Sequence, residues 1–133
     1  MHWDDSANAG FTTGIPWIKV NPNYTAINAT EQINRKDSVF NYYKTLIHMR
    51  KQYPVFVDGR FEMLVPDHPE VFAYTRTNAD TELLVICNFF EKEIACPVKK
   101  EWNQYQLLLT NETEHTNPDI LKPYEARIYL MNK

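Results

Sequence analysis

His2, Asp4 and Asp5 form the densest polar cluster in the chain. Imidazole and carboxylate groups this close together could hold a hard cation or work as an acid/base pair. A cation site needs more ligands than this window supplies, so the cluster reads first as an acidic loop. His48, His68 and His115 lie far apart in sequence and read as surface or satisfied core residues rather than ligands. If Glu91-Lys92 turns a hairpin, Cys87 faces Cys96 across it, about 4.5–5.5 Å apart at Cβ. Such a pair could do redox chemistry; the preferred reading is two small buried hydrophobes. Trp3, Trp17 and Trp102 could stack on sugar rings, and Trp102 with Tyr105 is the one pair that could form an exposed aromatic row. Packing roles for these rings are the simpler reading.

Other chemistries lack their motifs. The glycines are Gly10, Gly14 and Gly59, with no phosphate-binding pattern. No cysteine pair has zinc spacing and no His-Glu-x-x-His occurs, so no metal is expected. Ser6 and Ser38 lie outside any nucleophile-elbow context. No cofactor is expected.

The elements that must position these residues fall into two unequal parts. Met1 to Asn28 is dense in turn signals, yet Trp3, Phe11, Trp17, Ile18, Val20 and Tyr24 make it too apolar for a solvated linker. It reads as a long loop lying on another surface. Thr30 could cap a short turn. The spacing of Val39, Phe40, Tyr43, Leu46, Ile47 and Met49 then predicts an amphipathic helix over Ser38 to Gln52. Asp37 or Ser38 caps it, and Pro54 stops it. After Pro54 the period shortens. Strands are expected at Arg60 to Val65, Val71 to Thr77, Leu83 to Cys87, Glu93 to Val98, Tyr105 to Leu109 and Ala126 to Met131. Their spacing suits an antiparallel sandwich or barrel. One helix has nothing to bury its face against, so the first part reads as the end of a larger unit.

Composition agrees with a packed domain. The 133 residues are 44% hydrophobic and 14% aromatic, which favours a core over disorder. Lys and Arg number 14 against 17 Asp and Glu, giving a net charge of −3 and no basic stripe for nucleic acid. The longest apolar run, Leu83 to Cys87, is far too short to span a membrane. No secretory signal is expected after Met1, and a reducing cytoplasm suits the two cysteines. The sequons at Asn23, Asn28 and Asn111 read as accidental in that setting.

The run Met1-His2-Trp3-Asp4-Asp5-Ser6, continuing through Gly10-Phe11-Thr12-Thr13-Gly14-Ile15-Pro16-Trp17 to Tyr24, resembles the late region of bacterial oligo-1,6-glucosidases. These are α-glucosidases of the α-amylase superfamily, glycoside hydrolase family 13. The resemblance continues through Asp37-Ser38-Val39-Phe40, Met49-Arg50-Lys51, Phe72-Ala73-Tyr74-Thr75-Arg76 and Leu83-Leu84-Val85-Ile86, and covers nearly the whole chain. It departs at His2, where most relatives are expected to carry Gln.

The resemblance implies a (β/α)8 catalytic barrel followed by an antiparallel Greek-key β-sandwich. By it, residues 1–53 are the end of the barrel, namely the loop after strand eight and barrel helix eight, and 54–133 are the C-terminal β-domain. The family's chemistry is retaining glycoside hydrolysis by two carboxyl groups about 5–5.5 Å apart. Its catalytic carboxylates are implied to lie upstream of Met1, so no catalytic residue is assigned here. Trp3, Asp4 and Asp5 would belong to a loop that could wall the pocket in the parent. The chain is therefore expected to be an inactive, structural C-terminal fragment of an α-glucosidase acting on short α-glucosidic oligosaccharides. Its expected partner is the upstream barrel, with self-association through Ser38 to Gln52, and no nucleic acid or membrane. The alternatives are a carbohydrate-binding module, or the same fragment of a trehalose-6-phosphate hydrolase or sucrose isomerase.

Overall fold

The computed structural model describes residues 1–113 and 117–133, so His115 lies outside the described residues. The chain divides into two compact units, Met1–His48 and Met49–Lys133.

In the first unit, short turns alternate with α1 (Ala29–Asn34) and the start of α2 (Val39–Gln52). The cap of α1 is Asn28, not Thr30: its side chain accepts from Glu31 N at 3.0 Å and donates to the Tyr24 carbonyl at 2.9 Å. Asn28 is buried by that role. Ser38 starts α2 as the sequence predicts, its Oγ accepting from Asn41 N at 3.1 Å. Arg50 and Lys51 in the last turn offset the orphan carbonyls of the helix end. Phe40, Tyr43 and Ile47 on the apolar face are exposed, while Leu46 and Met49 are half-buried. Within residues 12–20, Thr12, Pro16 and Val20 are half-buried, but the large apolar side chains are not packed. Ile15 is 99% exposed and Trp17 95%.

The second unit is mostly antiparallel β. A short α3 (Val55–Asp58) precedes β1 (Arg60–Met63), β2 (Val71–Thr77), β3 (Thr81–Asn88), β4 (Ile94–Ala95), β5 (Gln106–Thr110), β6 (Ile120–Leu121) and β7 (Ala126–Asn132). Five strands form one sheet in the order β1-β2-β3-β7-β5, and β4 pairs with β6 in a second. This is the antiparallel β-sandwich expected. Between the sheets lies a core of Val71, Ala73, Leu84, Ile86, Leu121 and Tyr129, with Ile94 and Cys96 from the small sheet's side. Each fully buried aliphatic side chain there contributes roughly 1.5–3 kcal/mol. β2 alternates as predicted, with Val71, Ala73 and Thr75 buried. β3 is buried from Leu83 to Ile86 on both faces, which explains its unbroken apolar run.

Gly59 is needed between α3 and β1. A Cβ there would sit 2.5 Å from the Val55 carbonyl oxygen, which is backbone and cannot give way. Arg76 holds α3 on the sheet, its Nε donating to the Val55 carbonyl at 3.3 Å and its terminal nitrogen to the Val57 carbonyl at 3.1 Å.

Candidate functional site

The loop after His2 is shaped by short-range bonds. Asp4 accepts from the Ser6 amide at 2.9 Å and from the Ser6 hydroxyl at 2.5 Å. Those two bonds, the hydroxyl's first, hold the Asp4 carboxyl below its ordinary value. Asn8, Ala9 and Gly10 follow in the left-handed region, with φ of 56°, 55° and 69°. Asn8 tolerates this and uses its side-chain amide to bind the carbonyls of Thr12 and Gly14, at 3.2 and 3.1 Å. Gly10 is required: a Cβ would meet the Asp4 carboxylate at 2.6 Å. The chain then folds Trp3 back, with Trp3 N donating to Ala9 O at 2.9 Å.

A second set of bonds ties this loop to the start of α1. Ala29 N donates to His2 O at 2.9 Å and Thr30 N to Trp3 O at 3.0 Å. His2 Nδ1 lies 3.3 Å from Ile27 O, and its ring meets Tyr24 edge-on at 6.1 Å. Thr30 therefore closes the loop through Trp3 instead of capping α1. Beside these contacts runs an apolar groove of about 560 Å³, with Met1, Trp3, Ile33 and Phe40 among its walls.

His2, Asp4 and Asp5 are not assembled into one site. Asp4 turns to Ser6, His2 to Ile27 and Tyr24, and Asp5 is exposed. Among the described residues no group of three or more His, Cys, Asp or Glu side chains could hold a metal ion. His68 serves its own turn, its Nδ1 accepting from the amides of Glu70 and Val71 at 3.2 and 3.0 Å. His48 is exposed on α2. Among the described residues no helix is long and apolar enough to cross a membrane.

The cysteine pairing expected from a hairpin is not formed. Cys87 lies opposite Phe72 and Ala126 in the large sheet, while Cys96 follows β4 in the small one. Both are free thiols. The cause is Asn88. Its side-chain amide donates to the carbonyls of Lys92 and Lys122, both at 2.8 Å, and its oxygen accepts from Phe90 N at 2.9 Å. The chain is thereby turned out of one sheet and into the other. Burial pushes both thiols above their ordinary value, so neither is an activated nucleophile.

Trp102 and Tyr105 do not form an exposed row. Both are half-buried and pack against the core through Tyr129, with ring centroids 5.3 and 6.5 Å from it. Tyr105 OH donates to Glu82 at 2.5 Å and Lys100 does so at 2.9 Å. An aromatic row lies elsewhere, with exposed Phe61, Phe72 and Phe89 and half-buried Tyr74: Phe61, Tyr74, Phe72 and Phe89 follow one another at 5.1, 5.5 and 6.4 Å. The alternation of β2 could have located it, since Phe72 and Tyr74 occupy the face opposite Val71 and Ala73. Two sequons are spent on structure. Asn28 caps α1, and Asn111 donates to Tyr124 O and accepts from Ala126 N, at 2.9 and 2.8 Å.

The loop and helix of the first part and the antiparallel sandwich of the second correspond to two successive family matches. Residues 61–128 match the family described as maltogenic amylase, C-terminal domain, and the chain belongs to it. Residues 1–59 match the alpha-amylase catalytic domain. The oligo-1,6-glucosidase of Heyndrickxia coagulans is 44% identical over 133 residues, which is all of this chain and 24% of that protein. The structure of trehalose-6-phosphate hydrolase from Bacillus licheniformis superposes with a TM-score of 0.90 at 36% identity, over 99% of this chain and 25% of that one. Isomaltulose synthase from Klebsiella sp. LX3 does so with a TM-score of 0.86 at 35% identity, over 98% and 24%. The chain thus spans about a quarter of the length of the relatives it matches, in which this region is the C-terminal part.

Proposed function

We propose that this chain supplies the C-terminal part of an α-glucosidase that hydrolyses α-glucosidic bonds in short oligosaccharides with retention. The observation that carries the proposal is the end-to-end match to oligo-1,6-glucosidase at 44% identity, through both the catalytic-domain end and the β-domain. Retaining hydrolysis requires an acid and a nucleophile acting as a unit. By the resemblance those two groups lie in the upstream barrel, and in the acidic loop Asp4 is already bonded to Ser6. The chain's own role is therefore structural, and its partner is an upstream catalytic barrel. In that enzyme the Trp3–Asp4–Asp5 loop walls the pocket, with Asp4 acting through loop shape. Free thiols at Cys87 and Cys96 fit a cytoplasmic protein.

The test is hydrolysis of p-nitrophenyl α-glucoside and isomaltose by the isolated, purified chain. No turnover above buffer is expected. Reproducible turnover absent from a mock preparation would contradict the structural role. A second reading, a trehalose-6-phosphate hydrolase, draws support from the TM-score of 0.90 to that enzyme. Activity on trehalose 6-phosphate rather than isomaltose by the enzyme this chain natively completes, carrying its own upstream barrel, would select it.

A further inference from the structure

A side chain that accepts backbone amides within its own turn is usually an Asn, Asp, Ser or Thr oxygen. The turn between β1 and β2 uses an imidazole instead. Its sequence, Pro66-Asp67-His68-Pro69, is poor in donors, because both prolines lack an amide hydrogen. The amides that follow, of Glu70 and Val71, donate to His68 Nδ1 at 3.2 and 3.0 Å. His68 N in turn donates to the Val65 carbonyl at 3.1 Å and closes the turn. Val71 opens β2 and is buried in the core at 4% exposure, so water is a poor replacement for that acceptor.

Nitrogen in place of oxygen changes how the turn responds to acid. A ring nitrogen accepts only while it carries no proton, and both ring nitrogens of an imidazolium are donors. The two bonds therefore require the neutral ring with its proton on Nε2. A proton on Nδ1 would face two N–H groups. The charged groups around the ring leave that conflict in place. Asp67 is exposed in the same turn. Glu70 shares with the ring a shallow cleft of about 280 Å³, and Lys92 holds it from the loop after β3, Nζ to Oε1 at 2.5 Å. The other described residues that wall the cleft, Met63, Val65, Phe72 and Phe89 among them, carry no charge.

We propose that His68 is an acid-sensitive latch on the β1 edge of the large sheet: the neutral ring holds the β1–β2 turn closed, and a proton at Nδ1 releases it. One proton from solvent binds the nitrogen, and two N–H···N bonds break; its loss restores both. Histidine changes charge between about pH 5 and 8, so the bonds are present toward the upper end and lost as pH falls. β1 lies at the sheet edge and pairs with β2 alone. Beyond the paired residues its connection to β2 is Leu64 N to Ala73 O, at 3.0 Å, and this turn. Release would therefore loosen that edge, while β3 and β7, each paired on both sides, stay shut.

The test is amide exchange, residue by residue, in this chain at about pH 7.5 and about pH 5.5, each rate divided by its intrinsic value. Protection of the Leu64, Glu70 and Val71 amides should fall about tenfold or more between the two, while Ile128 and Leu130 of β7 hold theirs. His68→Asn, whose Oδ1 stands where Nδ1 does and does not titrate, should keep the turn protected at both values. The ring's own nitrogen spectrum in the unaltered chain needs no variant, and at about pH 7.5 it should place the proton on Nε2. A proton on Nδ1 there, or protection at Glu70 and Val71 that does not respond to pH, overturns the proposal. A folded His68→Asn chain that loses protection as the unaltered one does assigns the effect to another group and overturns it likewise.

Discussion

Arg127 grips Glu125 two residues back along the chain with two nitrogens, Nε to one carboxylate oxygen at 2.6 Å and a terminal nitrogen to the other at 2.7 Å. Both side chains are buried, at 2% and 0% exposure. The same guanidinium donates to the carbonyls of Pro118 and Ile120, and the carboxylate accepts from Lys122 N. One ion pair thus fastens β6 and its flanking turns to the start of β7. Removing one member of such a pair strands a buried charge and costs about 3–5 kcal/mol. Arg127→Ala should accordingly lower the denaturation midpoint sharply. Arg127→Met combined with Glu125→Leu should recover much of the loss. Chemical denaturation of the three proteins checks this, and a double variant no better than the single would refute it.

The surroundings of Glu82 predict that the β-domain loses stability in acid. Burial pushes its carboxyl up, but hydrogen bonds from Tyr105 and Lys100, and the charge of Lys100, outweigh burial and hold it below the ordinary value. A lowered folded value means that the stabilisation is complete above the unfolded carboxyl value of about 4.3 and is lost as pH falls through the folded value. The thermal midpoint of the unaltered chain should fall on acidification through that window. Glu82→Gln should start lower near neutrality and fall less steeply. Parallel profiles for the two proteins would show that Glu82 does not carry the effect.

The Asp4 loop predicts a local defect. Gly10→Ala forces a side chain into the left-handed region, at a cost of roughly 1–2 kcal/mol, and drives its Cβ into the Asp4 carboxylate. Amide exchange at Trp3 and Ala9, which share a hydrogen bond with each other or with Ser6, should accelerate. Amides of β3 and β7 should exchange as before. Equal acceleration in both regions would mean that the loop is not an independent feature.

Much of the fold was legible because its signal was periodic. β2 and β3 revealed themselves by alternation and by an unbroken apolar run, and α2 by its three- and four-residue spacing. β6 was missed because two residues between Asp119 and Lys122 carry no period. The hairpin that would have set Cys87 opposite Cys96 does not form, because Asn88 is bonded to Lys122, far away in sequence, as well as to Lys92, and the preferred reading of two covered, unpaired thiols holds. The same reason hid the bonds that bury Arg127. In the loop, Asp4 and Gly10 were visible as residue types, but their contact depends on left-handed backbone at Asn8 and Ala9 that composition does not announce.

Self-association is a further consequence we propose for the isolated chain. Val39, Phe40, Tyr43 and Ile47 are exposed along α2, a larger apolar stripe than a soluble monomer usually shows. Sedimentation across a concentration series should reveal dimers or larger species, and Ile47→Glu should reduce them. A strict monomer at every concentration, unchanged by the substitution, would contradict this.

The central claim, that this chain completes an α-glucosidase, meets its most direct test in the kinetics of the fusion with the upstream part of the Heyndrickxia coagulans relative. The account predicts isomaltose hydrolysis with kcat/KM within about tenfold of that relative, since the reacting groups are untouched and only the last loop and helix of the barrel and the C-terminal domain are exchanged. A folded fusion that hydrolyses neither isomaltose nor p-nitrophenyl α-glucoside would contradict it.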